Sequence, residues 1–152
     1  MKHSIIAKTF TVAAVTALAL GIAPTAKADD KGCSNASLQG TFAYTSTGTI
    51  TAPPDIAGPI GEVGTQTFDG VGGTTATATL SSNGTIVPLT ITGTYAVNPD
   101  CTGTFTLQIA PGIASHFFFV IANNGASYQA ICLDPIAVIT RVGTRLYPGR
   151  DI

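Results

Sequence analysis

The chain has 152 residues, of which 45% are hydrophobic and only 10% are charged. Apolar residues at this level, placed at regular intervals, exclude a chain that is disordered throughout. Beyond residue 28 there are four basic residues against eight acidic ones, which gives a net charge of −4. A polyphosphate partner would be repelled by this charge, so the composition excludes a typical nucleic-acid-binding protein.

The first 28 residues have the layout of a secretory signal peptide. Lys2 and Lys8 form a basic start, residues 12–22 are an apolar run, and Ala26-Lys27-Ala28 supplies small residues for cleavage. The apolar run is shorter than the roughly 20 residues that span a bilayer. We therefore expect a secreted or periplasmic protein with no membrane association after cleavage. Removing 28 of the 152 residues leaves 124, which suits one domain.

The predicted organisation continues with a flexible lead-in over residues 29–37. The β-domain follows over residues 38–146, and residues 147–152 form a tail. In the domain, apolar and polar residues alternate with the period of two that is typical of β-strands. The first strand places Phe42 and Tyr44 on one face. After a proline-rich loop at 51–59, further strands are predicted at 60–68, 74–80, 87–97, 101–109, 116–121, 128–133 and 136–145.

Three further features of these strands lead to separate predictions. Pro88 lacks an amide hydrogen, so it should lie at a strand end or at a bulge. The almost continuous apolar run at residues 116–121 predicts a strand that is covered on both faces. Arg141, Arg145 and Arg150 cluster near the C-terminus. Charged residues often protect an exposed sheet edge, and we interpret the three arginines in this way.

About eight strands joined by short turns, with no convincing helix, indicate an all-β fold. Consecutive hairpins favour a meander, and a meander of this length must close on itself or leave its edges exposed. Eight strands enclose an interior just wide enough for side chains or one small ligand. The sequence therefore predicts a small up-and-down antiparallel β-barrel, with a β-sandwich as the alternative.

The chain contains three cysteines, and in an oxidising compartment cysteines tend to pair. Cys33 precedes the first strand and Cys101 begins the fifth, so both lie at the ends of elements. Cys132 falls within a strand, where it is expected to act as a small buried hydrophobic residue. We predict a disulfide between Cys33 and Cys101. No closely spaced cysteine pair is present, and one histidine lies beyond residue 28, so a metal site is not expected.

Several segments resemble a family of small exported bacterial proteins of unknown function. They are residues 33–42 (CSNASLQGTF), 68–70 (FDG), 93–104 (GTYAVNPDCTGT) and the strand pair around 116–125. The resemblance covers most of the chain after residue 28, and its most specific part is the segment from Tyr95 to Cys101. It implies the Cys33–Cys101 bridge and a small barrel similar to those of allene oxide cyclase and dirigent proteins. It implies no reaction and no catalytic residues.

Few side chains are suited to catalysis. Glu62 is the only glutamate; it points either to solvent near the proline-rich loop or into the barrel, where it would be a candidate functional group. His116 has no carboxylate close to it in sequence, and its imidazole is expected to be satisfied by water or backbone. No nucleophile-elbow motif and no acidic calcium loop occur in the sequence. We therefore assign no catalytic residue and no cofactor, and we lean against an enzyme.

The aromatic residues of the strands could line a barrel interior, as suits a small apolar ligand, or could simply fill the core. Our first hypothesis is a binding or structural module for a small hydrophobic ligand or a protein partner. The alternative is a cyclase-type enzyme that steers a reactive intermediate in an apolar cavity. The oligomeric state is left open. The candidate ligand-binding residues are Tyr44, Glu62, Tyr95, His116 and Tyr128.

Overall fold

A computed structural model describes residues 32–147 of the chain. The predicted signal peptide, residues 29–31 of the lead-in and residues 148–152 of the tail lie outside the described residues. Eight antiparallel strands follow one another in chain order and close into a barrel. They are β1 (Gly40–Ile50), β2 (Gly58–Phe68), β3 (Gly73–Ser82), β4 (Thr85–Val97), β5 (Thr102–Ala110), β6 (Ile113–Ala122), β7 (Ser127–Cys132) and β8 (Ala137–Arg145).

Two short 3-10 helices, Asn35–Leu38 and Asn123–Gly125, are the helical elements of residues 32–147. Neither of them is long and apolar enough to cross a membrane.

The barrel closes because β1 is hydrogen-bonded on both sides. It pairs with β2 from Gly40 to Ile50, and with β8 over residues 42–50. The predicted up-and-down barrel is thus confirmed, and the β-sandwich is ruled out. Since β8 is paired with both β7 and β1, it is not a sheet edge. The interpretation of Arg141 and Arg145 as protectors of an exposed edge is therefore wrong.

Alternation along the strands sorts the side chains between core and solvent. In β4, Ile91 and Tyr95 are buried while Thr90 and Thr92 are exposed, as the pattern predicts. In β6, Phe117, Phe119 and Ile121 point inward, but Phe118 and Val120 are partly exposed on the outer surface. The prediction that this strand is covered on both faces is wrong, because the barrel has one layer and nothing in residues 32–147 packs outside β6.

One end of the barrel is closed by aromatic side chains and by the first 3-10 helix, whose Leu38 is fully buried. Phe68 makes edge contacts with Phe42, Tyr95 and Tyr128, at ring-centroid distances of 5.5, 4.9 and 5.7 Å. Edge-to-face contacts of this kind add to the stabilisation from burial itself. We call this region the closed end.

The predicted Cys33–Cys101 disulfide is present, and it joins the segment before the helix to the turn between β4 and β5. The Asn35 side chain donates to the Val71 carbonyl at 3.1 Å and accepts from the Val97 amide at 2.9 Å. Residues 33–37 belong to the predicted lead-in, and these contacts attach them to the closed end.

The opposite end carries the turns β1–β2, β3–β4, β5–β6 and β7–β8, and we call it the open end. Here β4 extends beyond β5, because their pairing covers only residues 92–97 of β4. Residues 85–91 are paired with β3 alone. Pro88 lies in this overhang. A residue without an amide hydrogen is tolerated there since β4 has a free side, although Pro88 is inside the strand rather than at its end.

Candidate functional site

A cavity of about 150 Å³ lies inside the barrel at the open end. Its wall is mostly aliphatic, and it borders the overhang of β4 where the β4–β5 ladder is missing. The lining residues come from seven strands, all but β7: Ile50, Ile60, Glu62, Leu80, Leu89, Leu107, Ile109, Ala110, Ser115, Phe117, Ile139 and Arg141. The cavity is thus an apolar chamber that contains a small number of polar groups.

Strand register brings two opposite charges together at this cavity. Ser46 on β1 lies directly opposite Glu62 on β2 and Arg141 on β8, and all three side chains point inward. Residues opposite one another in antiparallel strands have their Cβ atoms about 5 Å apart. Because the Ser46 side chain between them is small, the Arg141 side chain extends past it to Glu62, and Nη2 lies 3.3 Å from Oε1. The ion pair is buried: the two side chains are 3% and 8% exposed.

All three nitrogens of the Arg141 guanidinium donate hydrogen bonds within the protein. Nε donates to Ser46 Oγ at 2.7 Å, Nη1 to Gln66 Oε1 at 3.4 Å, and Nη2 to Glu62 Oε1. The guanidinium also lies over the Tyr44 ring, 4.1 Å from its centroid. A buried charge is tolerated only when it is paired and hydrogen-bonded, and Arg141 meets that requirement.

Two tyrosine hydroxyls join this cluster, and we call the set the polar layer: Tyr44, Ser46, Glu62, Gln66, Tyr128 and Arg141. Tyr44 donates to Glu62 Oε1, and Tyr128 donates to Gln66 Oε1 at 2.7 Å. Burial raises the pKa of the Tyr44 hydroxyl and that of the Tyr128 hydroxyl. Arg141 acts in the opposite direction on both, and Glu62 adds to the increase. Both tyrosines therefore stay protonated and act as donors at neutral pH.

Glu62 has one oxygen that the protein leaves free. Oε1 accepts from Tyr44 and Arg141, whereas Oε2 has no hydrogen-bond partner among residues 32–147. In that same part of the chain, every buried side-chain oxygen and nitrogen has a partner. Oε2 is therefore not enclosed by protein, and since Glu62 lines the cavity, this oxygen faces the cavity.

A second polar cluster surrounds Asp134 beside the open end. Its Oδ1 lies 2.8 Å from His116 Nδ1, and its Oδ2 accepts from Ser115 Oγ at 3.0 Å and from the Cys132 thiol at 3.4 Å. Burial acts to raise the pKa of Asp134, but the hydrogen bonds from His116, Ser115 and Cys132 outweigh it and lower the pKa. The expectation that the His116 ring is satisfied by water or backbone is wrong, because its partner is a carboxylate 18 residues away.

Cys132 is buried and unpaired, as predicted, and it ends β7. Burial raises the pKa of its thiol, so the thiol stays protonated. A protonated thiol is a poor nucleophile, and the cluster around Asp134 does not resemble an activated-cysteine site.

The structure brings together three of the five predicted ligand-binding residues. Tyr44, Glu62 and Tyr128 belong to the polar layer below the cavity, but only Glu62 is among the residues that line it. Tyr95 lies at the closed end, where its hydroxyl donates to the Asn35 carbonyl at 3.0 Å and accepts from the Gly70 amide. His116 lies on the outer surface with half of its side chain exposed.

Sequence reasoning missed Arg141, Ser46 and Gln66. Arg141 is two residues after Ile139, so the period of two places both side chains on the same face of the strand. This alternation could have indicated that Arg141 points inward. The exposed Val138 and Val142 give the opposite face an equally apolar pattern, which concealed the signal.

Within residues 32–147, no group of three or more histidine, cysteine, aspartate or glutamate side chains is arranged to hold a metal ion. Comparison with family models, with curated proteins and with solved structures finds no match to this chain. The resemblance to small exported bacterial proteins therefore remains a prediction that rests on the quoted segments.

Proposed function

We propose that the protein is an exported binding module that holds a small apolar molecule in the cavity at the open end of the barrel. One observation carries the proposal: aliphatic side chains surround a cavity of about 150 Å³ that the barrel does not fill. Well-packed interiors contain few voids larger than a water molecule, so a chamber of this size requires an explanation.

The size of the cavity suggests the size of the ligand. An apolar cavity of about 150 Å³ in another protein stays dry and binds benzene. A ring that buries about 200 Å² of apolar surface gains about 5 kcal/mol at 25 cal/mol per Å². That free energy corresponds to a Kd of about 0.2 mM for a bare ring, and a longer ligand that reaches the mouth would bind more tightly.

Export is part of the proposal. The disulfide Cys33–Cys101 is compatible with an extracellular protein, since structural disulfides persist in oxidising compartments. The signal-peptide layout of residues 1–28 points the same way.

The test is a titration with 4-fluorotoluene, followed by ¹⁹F NMR, on the native protein and two variants. Leu89→Trp fills the cavity from its wall, whereas Thr90→Trp puts the same side chain on the outer face of the same strand. We expect saturable binding to the native protein and to Thr90→Trp, with loss of binding in Leu89→Trp. Absence of binding to the native protein, or equal binding to both variants, would contradict the proposal.

The cyclase-type enzyme remains a second candidate because Glu62 lies in the cavity wall with one oxygen free. A single carboxylate in an apolar chamber can act as a base or stabilise a positive centre while water is kept away. Styrene oxide is a suitable reactive probe because it is about the size of the cavity. Consumption faster than with heat-denatured protein, lost in Glu62→Gln, would support an enzyme; no acceleration would oppose it.

A further inference from the structure

We infer that the cavity selects neutral ligands that carry a hydrogen-bond donor on a small apolar body, as a phenol does, and that Glu62 Oε2 accepts this hydrogen bond. The inference deepens the proposed function and rests on it. It adds the chemical class of the ligand and the atom that recognises it.

The first argument concerns the donors at the cavity. Arg141 is the lining residue that would otherwise attract an anion, but each of its three nitrogens already donates to Ser46, Gln66 or Glu62. Glu62 balances the charge of Arg141, and the guanidinium lies over the Tyr44 ring. Three of its five N–H groups are thus engaged, and because Glu62 already balances the charge, a ligand that only accepts hydrogen bonds gains less here than at an unpaired guanidinium.

The second argument concerns the acceptors. Oε1 of Glu62 already has two donors, Tyr44 and Arg141, while Oε2 has none among residues 32–147 and faces the cavity. A carboxylate has about four lone-pair sites. The free oxygen is thus an acceptor that is positioned before the ligand arrives, and a hydroxyl placed against it would form a charge-assisted hydrogen bond.

The third argument concerns charge. A ligand carboxylate would lie beside the Glu62 carboxylate in an apolar chamber, where repulsion is strong. An ammonium ion would have to give up its hydration to enter a wall made largely of leucine and isoleucine, and Arg141 already neutralises Glu62. A neutral donor has neither cost, so we expect alcohols and phenols to bind in preference to acids and amines.

The experiment uses three probes of similar size that differ in one substituent: 4-fluorophenol, 4-fluorotoluene and 4-fluorobenzoate. Each is titrated into the native protein and into Glu62→Gln, with ¹⁹F NMR as the readout. In this variant, the amide oxygen of the introduced side chain can still accept from Tyr44 and Arg141, which turns its NH₂ group toward the cavity. The acceptor that faces the ligand is then replaced by a donor.

We expect 4-fluorophenol to bind the native protein about tenfold more tightly than it binds Glu62→Gln, as suits a hydrogen bond to a charged group. The loss of affinity for 4-fluorotoluene should be much smaller, because its methyl group makes no hydrogen bond to Glu62, and saturable binding of this probe also shows that the variant is folded. We expect no binding of 4-fluorobenzoate to the native protein.

The outcomes separate the two levels of the proposal. If 4-fluorotoluene does not bind the native protein, the proposed function fails. If it binds but 4-fluorophenol loses no affinity in Glu62→Gln, or if 4-fluorobenzoate binds as well as the phenol, the donor selectivity is overturned and the cavity remains a ligand site.

If Glu62→Gln does not fold, the hydrogen bond to Glu62 can be tested with the native protein alone. A hydrogen bond to a carboxylate moves the ¹⁹F resonance of bound 4-fluorophenol toward its phenolate position, and an unshifted resonance would overturn the inference.

Discussion

The two ends of the barrel are built from the same alternating strands but are filled in different ways. At the closed end, aromatic rings interlock under a short helix, and Phe42, Phe68 and Tyr128 are almost completely buried. At the open end, the aliphatic side chains are smaller, β4 extends past β5, and a cavity remains. Between the two ends lies a polar layer around Glu62 and Arg141.

This difference teaches that the closely packed side chains and the unfilled space lie in separate parts of one small domain. The disulfide and the 3-10 helix reinforce the closed end, so the chain can leave space at the open end without unfolding. An unfilled cavity costs free energy, and that cost must be offset by packing elsewhere.

Truncation of one large side chain at each end should give the largest contrast. Phe68→Ala should lower the free energy of unfolding by about 4 kcal/mol, because it empties a closely packed site. Leu89→Ala should lower it by about 2 kcal/mol or less, since Leu89 is only partly buried and already borders a cavity. Urea denaturation of residues 29–152 measures both values. Equal losses would mean that the open end is packed as well as the closed end.

Breaking the polar layer should come next. Arg141→Met leaves the Glu62 carboxylate buried without its cation, and removal of one partner of a buried ion pair costs about 3 kcal/mol or more. The double variant Glu62→Leu/Arg141→Met should recover most of the loss, because no charge is then left uncompensated.

Thr140→Met, on the outer face of the same strand, is the control for the substitution itself. If Arg141→Met were as stable as Thr140→Met, the buried ion pair would not contribute to stability.

Removal of the disulfide should weaken the closed end more than the open end. The bridge closes a loop with a sequence separation of 68, and replacing both cysteines by serine should cost about 2 to 3 kcal/mol. Amide hydrogen exchange should show the greatest loss of protection in the helix Asn35–Leu38 and in the first residues of β5. Uniform loss around the barrel would contradict a local role, and Cys132→Ser is the single-cysteine control.

The smallest effect should appear at alkaline pH. Since burial raises the folded-state pKa of Tyr128 above the unfolded value near 10, its contribution is fully present below pH 10. The contribution is lost as the pH rises from there toward the folded-state pKa. Stability should fall above pH 10, by about 1 kcal/mol at pH 11 for this tyrosine.

Denaturation curves at pH 8, 10 and 11 measure this effect. Tyr128→Phe should show a shallower decline than the native protein, while Tyr147→Phe, which changes an exposed residue, should decline as the native protein does. An unchanged slope in Tyr128→Phe would argue against a buried phenol in the polar layer.

Much of the fold could be predicted because alternation reports which residues can share a face. The β4 pattern identified Ile91 and Tyr95 as core residues, and the turn signals separated the eight strands. The same rule failed where both faces are apolar. In β6, Phe118 and Phe119 look equivalent in sequence, but only the barrel wall determines that one is buried and the other is partly exposed.

Only part of the candidate site could be predicted from the sequence. Glu62 is the only glutamate and Tyr44 belongs to an alternating strand, so the sequence predicts both as candidate ligand-binding residues. Arg141 is assigned to the surface in the sequence analysis because charged residues often protect an exposed sheet edge. Its partner is 79 residues away, and no local pattern reports a pair at that separation.

The sequence by itself determined the strands, their order and the Cys33–Cys101 bridge, because these depend on local alternation, turn residues and the positions of a few cysteines. The tertiary structure alone decided the register in which β1 pairs with β2 and β8, the position of Ser46 between Glu62 and Arg141, and the cavity beside them. Those features depend on register between distant strands, and register is set by how the closed barrel fills its interior rather than by any single segment.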